Sequence, residues 1–317
     1  MFSLSELEAA LAIVRRAFPE TLSAAWPLLA ERTGAEVWVK HENHTPTGAF
    51  KVRGGLTFVE RLKRERPNVR GIICATRGNH GWSLAYAARR AGLTVTIVVP
   101  HGNSVEKNAA MRANGARLIK HGVDFDESLA HARGLAEAEG LEFVPSFHDD
   151  LVVGVATWAC ELFRAAPKLD VLYVPVGLGS GICGAIHARD VLGLDTEIVG
   201  VQSTGAPAYA LSFAAKEVVE TPTVDTHADG VATRRPDPAA LATILKGAAR
   251  MITVDDAEVA RAIRAYWADT HNLAEGAGAA PLAALLQEQD KVAGKRVGLV
   301  LSGGNIDLEL FRRWVSA

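Results

Sequence analysis

A chain of 317 residues with 34 Lys and Arg against 36 Asp and Glu carries a formal net charge of -2, which leaves no electrostatic footprint for nucleic acid or an anionic membrane surface. Hydrophobic residues make up 49% of it and charged residues 22%, a globular composition and not that of a disordered or fibrous chain. Small molecules are the expected partners, and the length predicts two medium domains sharing a sizeable core.

Cys74, Cys160 and Cys183 are odd in number and far apart, which argues against a disulfide framework or a zinc cluster and for buried thiols in a reducing compartment. The opening MFSLSELEAALAIVRRAF predicts an amphipathic helix with acids inside its apolar run, unlike a secretory signal. No apolar run approaches membrane-spanning length. The cytoplasm is the expected location.

In chain order, Val37 to Val39 predicts a short strand, ended by the turn chemistry of Thr45-Pro46-Thr47-Gly48. A helix is expected from Phe50 to about Arg66, with Phe50, Leu56, Val59 and Leu62 at helical spacing and Arg53, Glu60, Arg61, Lys63 and Arg64 on other faces. Lys51 falls in its first turn. The helix macrodipole disfavours a cation there, and an amine so placed tends toward the neutral, nucleophilic form that a Schiff-base lysine requires. An ordinary surface lysine is the alternative on this stretch alone.

Short β-branched runs then alternate with helical segments, the pattern of an α/β protein. Strands are expected at Gly71–Ala75, Thr94–Val99, Arg117–Ile119 and Glu142–Val144, with helices at Ser83–Ala91, Val105–Asn114 and Asp124–Glu139. These make a compact unit at about 52–147, the smaller domain, leaving 1–51 and 148–317 to a larger one. In the latter, helices are predicted over 151–166, 185–191, 255–269 and 279–289, and strands over 171–176, 198–201 and 297–301. Val219 to Pro238, rich in Thr, Asp and Pro, predicts a long loop.

Three loops could carry chemistry. Val176-Gly177-Leu178-Gly179-Ser180-Gly181-Ile182-Cys183-Gly184 lies after a strand and before a helix, where glycines let backbone amides approach a phosphate and the helix N-terminus adds partial positive charge. Residues 179–184 also satisfy the dinucleotide fingerprint, but the next strand ends in Gln202 and Ser203 where a ribose-binding acid is needed. Thr76-Arg77-Gly78-Asn79-His80 and Ser302-Gly303-Gly304-Asn305 also follow strands, at the edge where open α/β sheets bind ligands. Their hydroxyl and amide side chains suit a small polar ligand, though either loop alone could be a simple turn.

Together, Lys51 and these loops resemble the pyridoxal-phosphate enzymes of the tryptophan synthase β fold (fold type II), specifically the serine/threonine dehydratase branch, over nearly the whole chain. The resemblance implies two open, doubly wound α/β sheets and a larger, cofactor-binding domain beside a small mobile one. By the same match, Lys51 forms the Schiff base and Phe50 packs near the cofactor ring, with Asn79 on its phenolic oxygen. Thr76, Gly78, Asn79 and His80 hold the substrate carboxylate. Gly177, Gly179, Ser180 and Gly181 cradle the phosphate, and Ser302 faces the pyridine nitrogen. Ala228-Asp229-Gly230 and Glu275-Gly276-Ala277-Gly278-Ala279 resemble the family's later motifs.

The implied reaction is β-elimination from a β-hydroxy amino acid to a 2-oxo acid and ammonia, with Lys51 removing the α-proton. Ser302, a neutral hydroxyl where a carboxylate would favour ring protonation, favours prompt expulsion of the β-leaving group over transamination. Homodimers are usual in the family. The short run after Asn305 implies that the regulatory domain of biosynthetic threonine dehydratases is not expected. Metal-activated relatives carry carboxylates where this chain has Gln202 and small residues after it, so no metal is expected. Arg77 stands where racemases of the family keep a serine, and a guanidinium is a poor proton donor. It is expected to turn from the substrate and pair with a carboxylate of the protein, leaving a pocket for threonine or serine. Were it to face the pocket, 3-hydroxyaspartate would be the better substrate. An amino-acid racemase and, more distantly, a nicotinamide-dependent oxidoreductase are the other enzymatic readings. A silent amino-acid-binding module would have no need of Lys51.

Overall fold

The computed structural model describes residues 2–316. Its strands form two sheets. The larger contains β1 (Ser23–Ala25), β2 (Glu36–His41), β7 (Val171–Pro175), β8 (Glu197–Ser203), β9 (Ala248–Val254) and β10 (Arg296–Leu301), in the order β1-β2-β10-β7-β8-β9. All its pairings are parallel except β1 with β2. The smaller contains β3 (Gly71–Ala75), β4 (Thr94–Val99), β5 (Arg117–Lys120) and β6 (Glu142–Phe143), all parallel, in the order β5-β4-β3-β6.

The helices follow as α1 (Leu4–Arg15), α2 (Pro27–Thr33), α3 (Lys51–Glu65), α4 (Asn79–Ala91), α5 (Val105–Ala113), α6 (Phe125–Glu139) and α7 (Asp149–Ala165). After them come α8 (Ser180–Val191), α9 (Ala208–Ala215), α10 (Pro238–Gly247), α11 (Asp256–Thr270), α12 (Gly276–Gln287), α13 (Gln289–Val292) and α14 (Leu308–Ser316). Parallel strands need covered faces, and the near-continuous apolar runs of β3 and β7, buried at every position, meet that need. Alternate residues go to opposite faces. On the larger sheet Val171, Tyr173, Val199 and Val201 pack toward α11 and α12, while Leu172, Val174 and Ile198 pack toward α7 and α8. On the smaller sheet Ile72 and Cys74 face α3 and α4, and Ile73 and Ala75 face α6. Both sheets are doubly wound, as expected.

α7 joins the two layers. Leu151 belongs to the core of the small sheet, and Val152, Val155 and Ala156 to that of the large one. It crosses α3 with almost no space between backbones: a Cβ on Gly154 would lie 2.0 Å from Thr57 Oγ1, and one on Gly54 2.7 Å from the Leu151 carbonyl. Thr57 Oγ1 donates across the same crossing to the Asp150 carbonyl at 2.7 Å.

The structure corrects several expectations. Arg53, expected on a polar face of its helix, is fully buried. α4 starts at Asn79 and not at Ser83, and α8 at Ser180 and not at Ala185; glycine and asparagine there read as loop because they weaken a helical pattern, yet they occupy first turns. β1, α2, α9, α10, β9 and α14 had not been anticipated. α2 and α10 open with proline at the first helical position, which favours a helix start although proline otherwise reads as a breaker.

Candidate active site

Lys51 is the first residue of α3. Two loops fix it there. The backbones of 48–50 and 302–304 form a short ribbon: Phe50 N–H donates to the Ser302 carbonyl at 2.9 Å, Gly304 N–H to the Gly48 carbonyl at 2.9 Å, and Ala49 bridges Gly303. Gly48 has a φ of +64°, and a Cβ on it would lie 2.4 Å from Asn305 Oδ1. Glycine alone meets both demands. Lys51 Nζ donates to Ser180 Oγ at 2.6 Å and lies 5.3 Å from the centre of the Phe50 ring. Burial, with no carboxylate to offset it, pushes this amine down to about 8.

Four helix starts meet around the amine. Ser180 is the first residue of α8, Asn79 the first of α4, and Glu275 the N-cap of α12. Asn79 Nδ2 donates to Glu275 Oε1 at 2.6 Å, and Asn305 Nδ2 donates to Asn79 Oδ1 at 2.8 Å and to the Thr47 carbonyl at 2.8 Å. Helix starts present unpaired amides and partial positive charge, so this junction suits an anion. The glycine loop is shaped to let one approach. Gly179 has a φ of +101°, a Cβ on Gly177 would lie 2.3 Å from the Gly230 carbonyl, and one on Gly181 would lie 3.3 Å from Phe50 Cζ. Tyr209 braces the loop from behind, donating to the Leu178 carbonyl at 3.0 Å. A phosphate on α8, a ring beside Phe50 and an aldehyde within reach of Lys51 fit this set of groups.

The remaining expected residues gather nearby. Thr76 is buried, and its Oγ1 accepts from the amides of Gly78 at 3.0 Å and Gly81 at 3.3 Å, so it shapes the 76–80 loop. Gly78 is extended at φ 174° and precedes α4. His80 is buried with Nε2 unpartnered, and burial, helped by the charge on Lys51, pushes its ring down to about 3; it is a neutral imidazole. Ser302 is buried at the end of β10. Arg77 is half exposed, with Nη2 3.4 Å from Asp229 Oδ1, a pairing with a protein carboxylate of the kind expected. Gln202 is fully buried, and its Oε1 accepts from the Ala210 amide at 2.9 Å.

Sequence reasoning passed over Lys107, and named Glu275, Asp229 and Asn305 only as members of their motifs, without a role of their own. Burial raises the Glu275 carboxyl, partly offset by Lys107 and Asn79, and Asp229 raises it further. Lys107 lies 3.5 Å from Asp229 Oδ2. Nothing in the pattern of α5 marks Lys107; its place is set by tertiary packing alone.

A family model described as "Pyridoxal-phosphate dependent enzyme" matches residues 20–303. The L-threonine ammonia-lyase of Thermotoga maritima is 33% identical over 100% of this chain and 79% of its own length. The L-threo-3-hydroxyaspartate ammonia-lyase of Saccharomyces cerevisiae is 30% identical over 91% of this chain and 89% of its own. Among solved structures, threonine deaminase isoform 2 from Solanum lycopersicum superposes with a TM-score of 0.90 at 28% identity, covering 99% of this chain and 94% of that one.

Proposed function

Because the chain belongs to the pyridoxal-phosphate dependent enzymes, we propose that it is an ammonia-lyase for a β-hydroxy amino acid of the threonine or serine type, giving a 2-oxo acid and ammonia by β-elimination. The observation that carries this reading is the Lys51 amine, held at a helix start against Ser180 Oγ with no carboxylate to keep it charged. When bound, pyridoxal phosphate supplies the electron sink that makes a substrate α-proton removable.

The chain's own residues do the rest. Gly177, Gly179, Ser180 and Gly181, with the start of α8, hold the phosphate. Phe50 would pack at the ring, and Asn79, which Glu275 and Asn305 steady, would meet the phenolic oxygen. Thr76, Gly78, Asn79 and His80 surround the substrate carboxylate. His80, neutral, lines that seat without adding charge. Lys51, neutral near pH 8, takes the α-proton. Ser302 would offer the pyridine nitrogen a hydroxyl and not a carboxylate, which would favour expulsion of the β-hydroxyl over other outcomes. Racemisation would need a second proton donor, and Arg77, paired with Asp229, is not one.

In this reading 52–147, which contains the small sheet, is the smaller, mobile domain, and 1–51 with 148–317 the cofactor-binding one. The working enzyme is a cytoplasmic homodimer that needs no metal. An assay of oxo acid and ammonia release over a panel of β-hydroxy amino acids tests the proposal. Turnover of threonine or serine supports it, and racemisation without ammonia release sinks it.

A further inference from the structure

Three charged groups meet at one edge of the site, and they come from both layers of the molecule. Arg77 belongs to the loop after β3 and Lys107 to α5, whereas Asp229 lies in the long loop between α9 and α10. One oxygen of Asp229 is 3.4 Å from Arg77 Nη2 and the other 3.5 Å from Lys107 Nζ.

Their position relative to the proposed site follows from two glycines. A Cβ on Gly78 would lie 2.7 Å from Lys107 Cδ and 3.5 Å from its Nζ, so the lysine stem runs across the loop that precedes Asn79. A Cβ on Gly177 would lie 2.3 Å from the carbonyl of Gly230, the neighbour of Asp229. Asp229 is thus held between the loop proposed for the substrate and the loop proposed for the phosphate.

The pairing is loose. Each cation touches one oxygen, at a distance well beyond the 2.6 and 2.8 Å of the two-pronged Arg53–Glu42 contact in the core. Arg77 and Asp229 are 47% and 33% exposed, and pairs of that kind contribute little to stability. Two cations share this one carboxylate, and the next acid near Lys107 is the buried Glu275. A fold that needed only a tie here would not need the second cation.

We infer that Asp229 is a specificity-determining residue: its carboxylate fills the seat between Arg77 and Lys107 that the second carboxylate of a dicarboxylic substrate would otherwise take, and so turns the site toward neutral side chains. The inference rests on the lyase reading above. A substrate such as 3-hydroxyaspartate would bring its distal carboxylate up against Asp229, and like charges at contact repel. Without Asp229, the same carboxylate would meet Arg77 and Lys107 in charge-assisted hydrogen bonds.

The experiment compares kcat/KM for L-threonine, L-serine and L-threo-3-hydroxyaspartate in the wild-type holoenzyme, Asp229→Asn, Asp229→Ala and the double variant Asp229→Ala/Lys107→Met. In Asp229→Ala the ratio of 3-hydroxyaspartate to threonine should rise about 10- to 100-fold, mainly through KM. Asp229→Asn, which keeps the shape and so guards against a folding defect, should move the ratio the same way by less. Adding Lys107→Met should return most of the gain. An unmoved ratio in both Asp229 variants overturns the inference, as does a gain shared by all three substrates, which would mean that the cations serve the α-carboxylate. A wild-type enzyme that already prefers 3-hydroxyaspartate overturns it as well. Wild type inert toward all three substrates brings down the lyase reading and this inference together; turnover with a fixed ratio brings down the inference alone.

Discussion

Lys51 and Arg53 stand in the first turn of the same helix, roughly 200° apart around its axis, and the protein treats their charges in opposite ways. Arg53 is fully buried, and burial opposes its charge. Glu42 grips it at 2.6 and 2.8 Å and Glu161 at 2.7 Å, and these carboxylates more than offset the burial, so the guanidinium stays charged. Thr157 and Thr21 accept its other protons, and Lys40 binds Glu161 at 2.8 Å. Lys51 has a serine hydroxyl and no acid. The difference teaches that burial alone does not decide whether a cation survives; a matched carboxylate does. It also divides the labour within one turn. Arg53 ties α3 to the turn after β2, to Thr21 ahead of β1 and to α7, and Lys51, on the other side, is left free to react.

The most damaging way to break this comparison is at Lys51 itself. Lys51→Ala should lower lyase turnover by about 10³-fold or more, since both a nucleophile and a proton acceptor are lost, and should abolish covalent capture of the cofactor by borohydride reduction. Its unfolding midpoint without cofactor should hardly move. Retention of a tenth of wild-type turnover would show that another base is at work.

Next in size is Arg53→Met, which strands the buried Glu42 carboxylate and leaves Glu161 with Lys40, and should cost about 3–5 kcal/mol in urea unfolding of the cofactor-free protein. Were the loss no larger than that of an exposed arginine, the buried network would be ornamental. Ser302→Asp ranks third, with a fall of about 10- to 100-fold in elimination, as the new carboxylate favours a protonated ring nitrogen. Near-normal turnover in that variant would remove Ser302 from the ring.

The smallest effect sharpens the comparison. Because the folded Lys51 value is lowered to about 8 from an ordinary 10.5, the amine is charged below that pH and neutral above it. Cofactor uptake by the cofactor-free protein should therefore climb about tenfold per pH unit up to pH 8 and then level off. A rise continuing past pH 10 would mark an ordinary lysine.

Much of this was legible in the residues. Apolar runs and helical spacing gave the alternation of strands and helices, and the glycine-rich loops after strands pointed to the ligand edge. The contrast between Lys51 and Arg53 was not. Both looked like polar positions on one helix, and the burial of Arg53 depends on Glu42 and on Glu161, which stands 108 residues away. Helix starts were misjudged where they matter most, at Asn79 and Ser180, because the small polar residues that suit an anion site dilute the apolar period. Lys107 carried no local mark, and Asp229 none beyond its place in a motif like the family's, since a charge on a loop or an exposed helix face is common.

The ribbon that seats Lys51 joins segments from distant parts of the chain, with 258 residues between Thr47 and its partner Asn305. β2, which leads into it, likewise takes β10 as a neighbour. A ribosome therefore releases the small sheet and most strands of the large one before the turn ahead of Lys51 has its mate. The small sheet, whose strands lie between residues 71 and 143, can assemble early, as units completed early in synthesis tend to. The reactive amine, by contrast, takes its place only when β10 arrives, so a nascent chain is chemically quiet until that strand is made.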